Sequence, residues 1–312
     1  MSAAVEPTPA ALANPLLRYF AATRPPFLSV TLVGCLVGLA SAHAGGVRID
    51  ALTAILTVLF ALMAHAGVNV LNDYFDDRNG TDAANSERVF PFTGGSRFIQ
   101  NGVLTRRATG VFGYLLLLAV IPAGLWLAAH SAAGLIWIGI AGLVVGWSYS
   151  APPLELVSRG LGEVAITCGW LLVVVGADYV QRHDFSFAPC AAGLAFALLV
   201  ANVLYINQFP DAKADAIAGK RTVVVRLGSA RARAGYGLLA ALAGLWLIGC
   251  VLTGHLPSLA LAALVPLGLS AAALKILWKR AMSPSALAPA IKLTILAAVT
   301  HGLVLCLALL FG

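Results

Sequence analysis

The chain predicts an all-α, polytopic membrane protein, and three observations predict it. Sixty per cent of its 312 residues are hydrophobic and only 11% are charged, with a mean hydropathy of +0.90. Apolar runs of about 20 residues, enough to cross ~30 Å of hydrocarbon as helix, recur from one end to the other. Basic residues gather in every second polar connection, as the two faces of a bilayer require. A soluble domain is excluded by the first observation alone. The formal charge of +7 is therefore read as loop asymmetry, and no nucleic-acid partner is expected.

One domain is expected over 1–312, with 1–23 as a polar lead-in that contains a short amphipathic piece around Pro15–Ala22. Arg24-Pro25-Pro26 opens the first span at about 27–45. The second, about 51–72, runs into an acid cluster and then a long polar loop to Arg107. Spans three and four, about 108–129 and 132–149, meet in a tight turn at His130-Ser131. The fifth is about 161–181, and the sixth, about 187–207, runs into a second acid cluster and a loop to Arg233. Spans seven, eight and nine follow at about 235–254, 257–275 and 290–310. Nine spans place all 20 Lys and Arg residues on the N-terminal side of the membrane except Arg48 and Arg182. That bias predicts a cytoplasmic N-terminus and cytoplasmic acid clusters in a cell inner membrane.

The first 26 residues lack an apolar core followed by a small-residue cleavage site, so no signal peptide is expected there. The five cysteines lie in or beside apolar segments without CxxC spacing and read as small core residues. His65 and His301, inside apolar spans, read as hydrogen-bonded core residues.

The chemistry concentrates in VNVLNDYFDDRNGTD and INQFPDAKADAIAGKRT. Asn72 and Asp76 stand four apart, on one face of a continuing helix, with Asp73 and Asp77 a step round. Asn79-Gly80-Thr81 breaks that helix and lets Asp82 fold back. Asn207, Asp211 and Asp215 repeat the spacing four spans later, which suggests two parallel four-helix halves around one central cavity with a ninth helix added. Acids at a membrane boundary are costly unless paired, solvated or coordinating a cation. Carboxylate and amide oxygens suit hard Mg²⁺, which keeps several waters and shares its shell with phosphate. A diphosphate held through Mg²⁺ is the natural ligand, with Arg24, Arg78, Arg97, Lys220 and Arg221 as candidates for its remaining oxygens. Gly94-Gly95-Ser96 offers backbone donors in a turn. Arg106, Arg107, Arg231 and Arg233 read as topology determinants.

NDYFDDRNGTD and NQFPDAKADAIAGKRTVVVRLG resemble the two aspartate-rich motifs of the UbiA superfamily of intramembrane prenyltransferases. FTGGSRFIQNG, YSAPPLEL and RGLGE are similar to its 1,4-dihydroxy-2-naphthoate branch, as is the six-residue step from Asp76 to Asp82. The resemblance runs over about residues 15 to 310. It implies a nine-helix bundle whose cavity opens to lipid, with cap loops after helices two and six that exclude water. It implies two Mg²⁺ ions, one on Asn72, Asp76 and Asp82 and one on Asp211 and Asp215 with Asn207 assisting. Asp73 is a further candidate, and Tyr149 and Ser150 match positions that face the site. The implied reaction ionises a polyprenyl diphosphate to an allylic cation that an electron-rich aromatic ring attacks; no obligatory protein partner is implied. Two positions depart from the pattern. Glu155 stands where a basic residue is common, with Arg159 as the candidate replacement charge. Pro210 stands where many relatives carry arginine. Another phenolic or quinol acceptor, of the 4-hydroxybenzoate or homogentisate type, is the alternative within this chemistry. A cation-coupled transporter is the alternative outside it, and it would bury its acids near the midplane on broken helices.

Overall fold

The computed structural model describes residues 5–312. Among them every regular element is helical. In chain order these are α1 (Pro15–Ala22), α2 (Pro25–Ala44), α3 (Ala51–Asn79), α4 (Thr81–Ala84), α5 (Arg106–His130), α6 (Gly134–Ser150), α7 (Gly162–Arg182), α8 (Ala188–Ile217), α9 (Val223–Leu227), α10 (Ser229–Leu252), α11 (Leu267–Arg280) and α12 (Ala288–Phe311).

Local chemistry sets the boundaries. Asn14 accepts from the Leu16 and Leu17 amides at 2.9 and 3.3 Å and caps α1. Asp50 does the same for α3 through Thr53 at 2.8 Å, and Thr105 for α5 through Ala108 at 3.1 Å. Pro25 and Pro26 open α2, where missing amide hydrogens cost nothing. Gly80, at φ 84°, ends α3 in the left-handed conformation that glycine adopts without penalty.

Eight helical segments are long and apolar enough to cross a membrane, and α6, at 17 residues, is the shorter apolar segment between them. The protein is a multi-pass membrane protein. Large apolar side chains such as Leu115, Leu118, Trp137, Leu245 and Leu252 point outward, as a lipid surround requires. α3 continues past its apolar span to Asn79 and ends at Gly80, where the Asn79-Gly80-Thr81 break is expected. Two other boundaries are corrected. The helix over 187–207 continues to Ile217, through Pro210. Hydropathy falls before the backbone leaves the helix, because the acidic turns still satisfy their hydrogen bonds internally. The segment over 257–275 is not one helix: a 3₁₀ stretch, Ser258–Leu264, precedes α11, with Pro266 at the junction.

The main core lies where α2, α7, α8, α10 and α12 meet, filled by Val37, Val174, Phe196, Leu199, Leu247 and Leu305. A second cluster around Ile206, Tyr236, Leu277 and Ile291 ties α8, α10, α11 and α12 together. His301 is fully buried and bonds the Ala263 carbonyl at 2.7 Å through Nδ1, as a core histidine should. α3 packs on α5, and α8 packs on α7 and α10. This arrangement brings the C-terminal ends of α3 and α8, the two acidic ends, to the same mouth of one cavity.

Candidate active site

The cavity measures ≈ 950 Å³ and is lined mostly by apolar side chains from α2, α3, α5, α6, α7 and α8. One end is polar. α3 contributes Asn72 and Asp76, α4 contributes Asp82, and α8 contributes Asn207, Asp211 and Asp215. Both N-x-x-x-D pairs therefore face one space, as one-face spacing on each helix dictates. Asn72 donates to Asp76 Oδ2 at 3.1 Å and to Ser150 Oγ at 3.0 Å. Lys220 lies between the clusters, its Nζ 2.6 Å from Asp76 Oδ1 and 3.7 Å from Asp215 Oδ1.

The loop from Asn85 to Ser96 covers this end. Asn85 donates to Asp211 Oδ1 at 2.6 Å, and Asn207 donates to the Phe92 carbonyl at 3.4 Å. Gly95, at φ 71°, lets the backbone pass so close to Asp82 that an added Cβ would stand 2.3 Å from Oδ2. Asp82 is buried, and burial together with the charges of Asp76 and Asp73 pushes its carboxyl well above the usual carboxylate range, against Lys220 and Arg24. Asp82 Oδ2, Asn85 Oδ1 and Asn207 Oδ1 are buried with no hydrogen-bond partner. Three orphaned oxygens on the wall of one polar pocket make a donor set suited to a hard cation. Among the described residues no three His, Cys, Asp or Glu side chains converge on one point. Lys220 supplies the counter-charge there instead.

Other expected site residues fall differently. Arg24, in the left-handed conformation at φ 58°, lines the cavity with its guanidinium 4.7 Å from the Phe27 ring. Tyr149 also lines it. Asp73 is buried behind the wall, where it accepts from the Ser96 amide at 3.1 Å. Ser150 also stands behind the wall and reaches the site through Asn72. Arg97 sits outside the lining and donates to the Asp82 carbonyl at 2.5 Å. Arg78 is exposed and lies over Tyr74 and Phe75 at 5.7 and 6.0 Å, away from the cavity. The Arg221 side chain is exposed as well. Arg159 binds the Pro153 carbonyl at 2.7 Å and brings no charge to the cavity.

The sequence profile of the UbiA prenyltransferase family matches residues 31–310. The chain belongs to the UbiA prenyltransferase family. It is 31% identical over 218 residues to 1,4-dihydroxy-2-naphthoate octaprenyltransferase of Escherichia coli, an alignment covering 67% of this chain and 68% of that one. It is also 31% identical over 218 residues to 2-carboxy-1,4-naphthoquinone phytyltransferase of Synechocystis, covering 68% and 66%. Among solved structures, a UbiA homologue from Archaeoglobus fulgidus bound to DMAPP and Mg²⁺ superposes with a TM-score of 0.62 at 17% identity, over 93% of this chain and 99% of that one.

This UbiA-family chain is therefore a prenyltransferase. Its cavity has participants that motif reading passed over. Asn85 and Thr93 line the acidic end from the loop after α4. His65 lines the apolar part, bonded to Thr31 at 2.8 Å and set edge-on to Trp170. Residues of the lead-in, Val5, Glu6, Pro7, Ala11 and Leu12, line the cavity as well. No local pattern in that stretch marks any of them for the site.

Proposed function

We propose that this protein transfers a polyprenyl group from its diphosphate to an aromatic acceptor, and that the acceptor is 1,4-dihydroxy-2-naphthoate. The observation that carries this reading is the lining of the cavity: a largely apolar body with two acid–amide clusters at one end. Such a space accepts a lipid tail in its body and a charged head at its mouth. The Escherichia coli relative, named for dihydroxynaphthoate, supports the acceptor, and the Archaeoglobus structure with DMAPP and Mg²⁺ supports the donor class and the metal. Two Mg²⁺ ions would be held by Asn72, Asp76 and Asp82 on one side and by Asp211 and Asp215 with Asn207 on the other. When bound, Mg²⁺ neutralises charge on the diphosphate and makes it a better leaving group.

The chain's own residues do the rest. Lys220 and Arg24 line the acidic end and would pair with the diphosphate oxygens, Lys220 with whichever of its three donors the carboxylates leave free. The loop from Asn85 to Ser96 closes the mouth and keeps water from the reacting carbon. The C1–O bond of the donor breaks and diphosphate leaves with the bonding electron pair. The ring carbon bonds to C1, then gives up its proton to the departing diphosphate, or its carboxylate as carbon dioxide, to restore the aromatic ring. We place nine spans in an inner membrane, counting α6, with the N-terminus and both clusters cytoplasmic; Lys and Arg distribution supports that orientation.

The test uses detergent-purified protein, Mg²⁺, labelled polyprenyl diphosphates of several lengths and a panel of aromatic acceptors, with and without EDTA. Metal-dependent prenylation of dihydroxynaphthoate is expected, and Asp76→Ala or Asp211→Ala should abolish it in protein that remains folded. Product from another ring alone would replace the acceptor. Normal turnover by either aspartate variant would remove the site assignment.

A further inference from the structure

Glu6 is the sole charged side chain in the described segment ahead of α1, and both its oxygens are engaged. Oε1 accepts from Arg88 Nε at 2.7 Å and lies 2.6 Å from Arg88 Nη2. Oε2 accepts from Asn101 Nδ2 at 3.1 Å and lies 3.8 Å from Arg97 Nε. Asn101 also donates to the Pro7 carbonyl at 3.0 Å, so side chain and backbone of the segment are tied to one loop.

Both arginines lead on to the acid clusters. Arg88 Nη1 donates to the Asn85 carbonyl at 2.7 Å, and the Asn85 side chain donates to Asp211 at 2.6 Å. Arg97 Nη1 donates to the Asp82 carbonyl at 2.5 Å. One carboxylate thus braces two guanidiniums, one attached to Asp82 of the first cluster and the other linked through Asn85 to Asp211 of the second. Arg97 holds a left-handed backbone at φ 66°, which a non-glycine residue adopts only when its surroundings hold it there. The two guanidiniums repel each other, and Glu6 lies between them as their shared counter-ion. Without Glu6 the two guanidiniums would lose their shared counter-ion, and nothing on that side would hold their bonds to the Asn85 and Asp82 carbonyls.

We propose that Glu6 is a positioning residue for the catalytic site: by holding Arg88 and Arg97 it sets Asp211 and Asp82 for cation and diphosphate binding. This rests on the reading of the two clusters as a Mg²⁺–diphosphate site. Outer partners of metal ligands typically matter by about ten-fold or more in metal affinity.

The experiment titrates inorganic diphosphate by calorimetry at a series of Mg²⁺ concentrations, using full-length protein in detergent. Glu6→Gln should raise the Mg²⁺ needed for half-saturation about ten-fold; Glu6→Asp should recover most of it. In turnover, the Mg²⁺ requirement and the donor KM should rise while kcat at saturating Mg²⁺ stays unchanged. In an Arg88→Gln/Arg97→Gln background, Glu6→Gln should add nothing. An unchanged Mg²⁺ requirement in folded Glu6→Gln protein overturns the proposal, and so does a full further loss in the double-arginine background. Diphosphate binding by the wild type with no response to Glu6→Gln leaves the site reading standing. Absence of Mg²⁺-dependent binding in the wild type overturns that reading and the relay with it.

Discussion

The Lys220 ammonium lies 2.6 Å from Asp76 and 3.7 Å from Asp215, so one cation joins acids contributed by α3 and α8. Burial alone would push its amine down; the charges of Asp76 and Asp215 outweigh burial and hold it above the ordinary lysine value of 10.5. A raised lysine contributes stability that is complete below 10.5 and is lost only as pH rises through its folded value. Lys220→Met should therefore lower the thermal midpoint of metal-free protein at neutral pH. Mg²⁺ should restore more stability to the variant than to the wild type, because it replaces the missing charge. Transfer should fall about a hundred-fold or more, as loss of a charge aimed at the leaving group predicts. Melting curves with Mg²⁺ and with EDTA, beside initial rates, check both effects. An unchanged metal-free midpoint would refute the counter-ion role.

Gly95 is the second point where geometry makes a firm demand. A Cβ there meets the Asp82 carboxylate at 2.3 Å, and the φ of 71° is itself unfavourable for alanine. Gly95→Ala should displace Asp82 and cost about a hundred-fold in kcat/KM, the usual penalty for misplacing a catalytic group by an ångström. Gly102, at φ 69° with open space around it, is the control. Gly102→Ala carries the same backbone strain without the clash, and transfer by that variant should be nearly normal.

Much of this site was legible because it is local. Four-residue spacing on a helix puts Asn72 with Asp76, and Asp211 with Asp215, whatever the tertiary fold does. The same rule explains the error at Arg78. Two residues past Asp76 is a rotation of roughly 200°, which carries that guanidinium to the far side of α3. Proximity in sequence to an acid cluster was the wrong criterion for it and for Arg221. The end of α3 was legible from Asn79-Gly80-Thr81, but the extent of α8 was hidden because hydropathy reports lipid contact, whereas the backbone stays helical beyond it. Glu6 was illegible for another reason: its partners Arg88 and Asn101 stand 82 and 95 residues away. No local period encodes such a contact.

At the opposite end of the bundle Arg182 pairs with Asp178 through two 2.7 Å bonds and donates to the Ser41 carbonyl at 3.2 Å. Asp178 is only 1% exposed, so removing the arginine strands a buried charge. Arg182→Met should destabilise the protein by about 3 to 5 kcal/mol. The double variant Arg182→Met/Asp178→Leu should recover much of that loss, since a hydrophobic pair of similar volume can replace a buried ion pair. Denaturation midpoints in detergent decide it, and donor KM in surviving protein should not change.

Glu155 tests how far motif comparison reaches. The resemblance marks it as an acid where a base is common, which would weaken the positive field on the diphosphate. The structure places Glu155 at φ 42°, at the head of the 3₁₀ turn Leu156–Arg159, outside the cavity lining. Charges separated by solvent are screened within about 8 Å at physiological ionic strength. Glu155→Lys should consequently leave donor KM and kcat nearly unchanged at that ionic strength. Glu155→Gly should raise stability slightly by relieving the left-handed backbone. A Glu155→Lys variant with a markedly lower donor KM, retained in high salt, would mean that this turn swings toward the diphosphate on binding, and the lining seen without substrate would then understate the site.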